Sequence, residues 1–246
     1  MQRDTKLSAA AMVAMPGAGF DGDFAGRAFG PAASTLGIAI RPADPDPDDW
    51  VLGYRGVLDD VAQRGPVLAA GISIGACAAV HWALDNPERC AGVWAALPPW
   101  TGPAGDAPAA LSARISSDSV ENMGLDATIA EMRDGSPAWL ADELERSWRA
   151  IAARRTGSDG SALASLFRQV ASFTAPTDDE LAALAATGVA VVVVAATDDP
   201  VHPAAVAQHW RAASGGQFHY GTVTLEEIGM TRGAIGDSCA RVWSGI

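Results

Sequence analysis

The chain has 246 residues, with 17 basic and 29 acidic side chains, a formal net charge of −12 and a pI near 4.6. So acidic a surface repels phosphate backbones and anionic lipid heads, which argues against a nucleic acid or a membrane as partner. The length suits one large domain with a sizeable core. The three cysteines, Cys77, Cys90 and Cys239, lack the paired spacing of a disulfide framework or a zinc site, which points to reduced thiols in a cytoplasmic protein.

Met1 to Lys6 precede a short apolar stretch that ends at Pro16, too short to span a bilayer and read as a first core strand over Ala10 to Met15. Pro16-Gly17-Ala18-Gly19 is a turn after that strand. Helix-forming residues over Ala25 to Ala33 and an apolar run over Leu36 to Ile40 then set a βαβ rhythm. Arg41 to Asp49 alternates proline with aspartate and reads as a surface loop. Trp50 to Arg64 resumes helical spacing, with Trp50, Tyr54, Val57, Leu58 and Val61 on one face.

Pro66 to Ala70 is the next strand, and Gly71-Ile72-Ser73-Ile74-Gly75 follows it before the helix-prone Ala76 to Leu84. A strand, a Gly-x-Ser-x-Gly turn and a helix make a nucleophile elbow, in which the glycines let strand and helix pass closely and the serine hydroxyl stands exposed. Ser73 is therefore the candidate nucleophile. Cys90 to Leu97 forms another strand, closed by Pro98-Pro99. From Trp100 to Ala186 helical segments, among them Leu125 to Arg133, Trp139 to Arg154 and Ser161 to Phe173, succeed one another with no strand between them. Val191 to Val194 marks a strand buried on both faces. A helix from Pro203 to Ala213, a strand from His219 to Leu225 and a helix from about Gly233 to Trp243 complete the chain. The pattern is α/β with a mostly parallel sheet.

With these parts in this order the sequence resembles the α/β-hydrolase superfamily of serine esterases and lipases. The resemblance implies a mostly parallel central sheet flanked by helices, formed by residues 1–100 and 187–246, with 101–186 as a helical cap. It also implies an acid on the loop after a later strand. Thr197-Asp198-Asp199-Pro200 matches that place, with Asp199 the choice and Asp198 the fallback. The oxyanion donors implied are the amides of Ile74, next to the nucleophile, and of Ala18, or alternatively Gly19, in the early glycine turn.

The family's histidine is expected on the loop after the last strand, and Glu226 to Gly233 contains none; Met230 stands after Gly229 where a histidine is usual. A thioether cannot serve as general base. Among the four histidines, His81 and His209 lie within helices and His219 opens a strand at the wrong end, so His202, three residues past Asp199, is the alternative base. Three readings follow: a serine hydrolase of a small ester or acyl substrate, impaired or altered by the missing histidine; a non-hydrolytic ligand-binding descendant of the fold; and a hydrolase changed at position 230. Trp100, Trp139, Trp148, Phe167 and Phe173, in or beside the insertion, either line an acyl pocket or form the cap's own core. No phosphate loop, dinucleotide fingerprint or metal-ligand cluster accompanies them, and the resemblance implies an enzyme without cofactor or metal.

Overall fold

A computed structural model of the protein describes Ala9, residues 11–154 and residues 159–246. Residues 1–8, Ala10, where the first strand was expected to begin, and residues 155–158 lie outside the described residues.

Six strands form one sheet: β1 (Ala11–Met15), β2 (Ala39–Pro42), β3 (Val67–Ile72), β4 (Cys90–Ala96), β5 (Val191–Ala196) and β6 (His219–Val223). They lie in the order β2-β1-β3-β4-β5-β6, and every pairing is parallel. Because successive side chains alternate between faces, each central strand feeds two cores. Val67, Ala69, Val93, Ala95, Val191 and Val193 pack on one side with α2 (Trp50–Ala62), α3 (Ile74–Asp85), α8 (Asp178–Ala186) and α9 (Ala204–Ala213). Leu68, Ala70, Trp94, Ala96, Val192 and Val194 pack on the other with α1 (Gly22–Leu36) and α11 (Ala234–Trp243). Covered on both faces, these strands read as unbroken apolar runs.

Among the described residues four helices rise from the stretch between β4 and α8: α4 (Pro108–Met123), α5 (Leu125–Asp134), α6 (Ala138–Ala152) and α7 (Ser161–Ala171). The last three coincide with the segments of strong apolar spacing. Helix α4 has only small buried residues, Ala109, Ala110, Ala113, Ser117 and Val120, and so carries a weak pattern. Helix α8, within the insertion by sequence, packs on α3 and α9 beside the sheet.

Two boundaries differ from expectation. Leu36 closes α1, where Gly37 takes the left-handed conformation at φ 69° as its cap, and β2 begins only at Ala39. The stretch after β6 is a short helix, α10 (Leu225–Met230), and no open loop. Thr224 and Glu227 form a capping box: the Thr224 hydroxyl accepts from the Glu227 N–H at 3.0 Å, and the Glu227 carboxylate accepts from the Thr224 N–H at 2.8 Å. That exchange satisfies two otherwise orphaned donors and starts the helix.

Candidate active site

The elbow forms as its spacing requires. Ser73 links β3 to α3 at φ 56° and ψ −117°, a strained conformation for a residue with a side chain. A Cβ on Gly71 would lie 2.1 Å from the Gly75 carbonyl, and one on Gly75 would lie 2.4 Å from the Met15 carbonyl oxygen, so only glycine fits at either place. The Ser73 N–H donates to the Ala96 carbonyl at 2.9 Å, tying the turn to the end of β4.

The neighbouring strand ends converge on this serine. After β5, the loop carrying Asp199 and His202 folds back on itself: Asp199 Oδ1 accepts from the N–H groups of Val201, at 2.8 Å, and His202, at 3.1 Å. Asp199 Oδ2 lies 2.9 Å from His202 Nδ1, and His202 Nε2 lies 3.0 Å from Ser73 Oγ. With Nδ1–H donating to the carboxylate, Nε2 is left as the acceptor for the Ser73 hydroxyl. Burial pushes the Asp199 pKa up, but the His202 hydrogen bond and charge and the two backbone N–H groups outweigh it and hold the carboxyl below its usual value. Asp198, the fallback acid, is engaged elsewhere: it accepts from the Leu225 N–H at 2.7 Å, at the start of α10.

Met230 is not brought to the site. It is the last residue of α10, is 79% exposed, and is absent from the lining of the cavity above Ser73. Position 230, expected in the place of the base, thus lies outside the wall that holds Ser73. The capping box turns the chain after β6 into a helix that presents Leu225 and Ile228 to the cavity, while the imidazole comes from the β5 loop. Of the other histidines, His81 lies against Phe173 and Glu180, His209 pairs with Asp178 at 2.7 Å, and His219 opens β6.

The Pro16 to Phe20 segment reaches the serine from β1. A turn closed by the Phe20 N–H on the Gly17 carbonyl at 3.1 Å leaves Ala18 at its tip, and a Cβ on Gly17 would stand 3.2 Å from Ser73 Cβ. Ile74 opens α3, so its N–H has no intrahelical acceptor and sits at the positive end of that helix. The fully buried Tyr54 donates its hydroxyl to the Pro16 carbonyl at 2.9 Å and pins the turn. Sequence reasoning placed Tyr54 on the core face of α2; the signal it missed is that a buried phenol needs a partner.

An ion-pair network, also missed, joins the cap to this region. Asp21 caps α1 by accepting from the Phe24 N–H at 3.0 Å and takes both terminal nitrogens of Arg146 of α6, at 2.7 and 2.9 Å. Glu143 takes two nitrogens of Arg27 at 2.7 and 2.6 Å. Residues so far apart in sequence offer no spacing signal.

A cavity of about 680 Å³ lies between sheet and cap, with Ser73, His202 and Asp199 in its wall. Trp100, Trp139, Trp148 and Phe167 line it, whereas Phe173 packs on Trp50, with ring centroids 4.7 Å apart. Among the described residues no cluster of three His, Cys, Asp or Glu is placed to hold a metal ion, and no helix is long and apolar enough to cross a membrane.

A parallel sheet in this strand order, with an elbow serine at the carboxyl edge and a helical insertion after β4, is the α/β-hydrolase fold. No family model and no curated protein sequence matches the chain, but solved structures do. It is similar to Rv0554 from Mycobacterium tuberculosis, at 15% identity and a TM-score of 0.66 over 97% of this chain and 92% of the other. It is similar to a thermophilic esterase from Thermogutta terrifontis, at 12% identity and a TM-score of 0.63 over 95% and 86% of the two chains. An enol-lactonase from Burkholderia xenovorans LB400 matches at 15% identity and a TM-score of 0.58 over 99% and 92%. At such identities the likeness is one of fold.

Proposed function

We propose that the protein is a serine hydrolase acting on a small-molecule ester or acyl compound, with Ser73 as nucleophile, His202 as general base and Asp199 as the group that orients it. The observation that carries this is the continuous chain from Asp199 Oδ2 to His202, at 2.9 Å, and from His202 to Ser73 Oγ, at 3.0 Å, at the wall of a cavity. Ser73 Oγ attacks the acyl carbon as His202 Nε2 takes its proton. The imidazolium, paired with Asp199, then protonates the leaving group, and water attacks the acyl-enzyme by the same route. The Ile74 and Ala18 amides stabilise the oxyanion. Esterases and a lactonase among the structural neighbours fit small-molecule substrates. We place the enzyme in the cytoplasm, without cofactor, nucleic acid or membrane partner, on its free cysteines and net charge of −12.

Turnover of a short p-nitrophenyl ester and labelling by a fluorophosphonate test the reading. Ser73→Ala is expected to abolish labelling, and His202→Ala to lower kcat by roughly four to six orders of magnitude. Unlabelled Ser73 and no ester turnover in the unaltered chain would leave the ligand-binding descendant standing instead.

A further inference from the structure

We infer that the cavity selects an electrically neutral acyl chain that carries oxygen atoms along one side, an oxygenated ester or lactone in preference to a plain fatty or an anionic one. This rests on the reading of Ser73 as nucleophile. The cap supplies the chemistry. Ala109, Ser112, Ala113, Ser116 and Ser119 recur at helical spacing on α4, and all five line the cavity. Small side chains along this face leave width for a substrate while setting three hydroxyls in a row.

Those hydroxyls are uncommitted. A serine or threonine within a helix ordinarily turns its hydroxyl back on a carbonyl of the preceding turn. Elsewhere in this chain Thr35 does so to Pro31, at 3.1 Å, and Thr128 to Gly124, at 2.8 Å. Ser117, facing α7, gives its hydroxyl to the Ala164 carbonyl at 3.0 Å. Ser112, Ser116 and Ser119 make no hydrogen bond to any protein group among the described residues. Each therefore offers both a donor and an acceptor to whatever fills the cavity.

The rest of the lining supplies the contrast. Phe20 just before α1, Phe24 in its first turn, and Trp139, Leu140 and Leu144 of α6 form an apolar wall. Among the described residues no lysine or arginine lines the cavity, and the acidic members of its lining are Asp199 and Glu131, the latter exposed. A buried substrate carboxylate or phosphate would thus lack a counter-ion, and burying an unpaired charge is costly. A plain alkyl chain would leave the half-buried Ser116 and Ser119 hydroxyls facing hydrocarbon, while Ser112 is exposed at the cavity's edge. A volume of about 680 Å³ falls within the range that takes a drug-sized molecule.

Three p-nitrophenyl esters of matched chain length test this: an alkanoate, a trioxa-alkanoate and an ω-carboxyalkanoate. The trioxa-alkanoate is expected to have the highest kcat/KM and the ω-carboxyalkanoate to fall at least about tenfold below the alkanoate. In Ser116→Ala/Ser119→Ala, a pair of helix-favouring changes, the ratio of trioxa-alkanoate to alkanoate kcat/KM is expected to fall about tenfold, the loss of two hydrogen bonds. An unchanged ratio, or an ω-carboxyalkanoate cleaved as fast as the alkanoate, overturns the proposal. The corresponding p-nitroanilides, ranked by quenching of the cavity tryptophans, report the same preference without turnover. An inactive Ser73 and an absent preference are therefore separate results.

Discussion

Ser73 stays in a disfavoured backbone conformation because the packing around it leaves no other. Gly71 and Gly75 touch across the turn, and the Ser73 N–H is bonded to the end of β4. The same economy holds at Asp199, where one carboxylate closes its own loop through two backbone N–H groups and orients His202 with its other oxygen. Its folded pKa lies below the ordinary carboxylate value. It therefore contributes stability that is complete above the ordinary value, about 3.9, and is lost as pH falls through the lowered one. Asp199→Asn is expected to flatten the acid side of the stability profile, read by urea denaturation at a series of pH values, while kcat falls by about four orders of magnitude. Met230, exposed at the end of α10, is expected to be catalytically silent. Met230→His should leave ester turnover within about twofold of the unaltered chain, since exposed positions away from a site have small effects. A large gain would mean that the base does come from position 230.

At the scale of elements, the cap is held by charge as well as by apolar packing. Asp21 is 7% exposed at its side chain and Arg146 39%. Burial pushes the Asp21 pKa up, and the Arg146 hydrogen bond, the Phe24 N–H and the charges of Arg146 and Arg27 bring it below its ordinary value. Breaking a buried pair costs several kcal/mol, a surface pair well under one. With one partner buried and the other partly solvated, Arg146→Met is expected to cost about 1–2 kcal/mol in urea denaturation. Because Asp21 follows the turn that carries Ala18, the same change should raise KM for bulky esters more than for p-nitrophenyl acetate. Equal KM values across ester sizes would show that the network stabilises the cap without shaping the site. Helix α10 plays a different part: its capping box converts the chain after β6 into apolar wall, with Leu225 and Ile228 in the lining.

Over the whole molecule, the parallel sheet gathers the ends of β1, β3, β4 and β5 at one carboxyl edge, where open α/β sheets bind their ligands. Unbroken apolar runs and the turn chemistry of Gly71 to Gly75 are local properties, so the sequence by itself determined the strands, the elbow and the helical insertion. Which histidine meets Ser73 is not local. His202 and Ser73 are 129 positions apart and meet only because β5 lies two strands from β3, with β4 between them. The order of parts along the chain pointed past β6, to Met230. Only the tertiary structure placed the His202 imidazole 3.0 Å from Ser73 Oγ, because a contact across two strands is set by sheet order and not by position in a sequence.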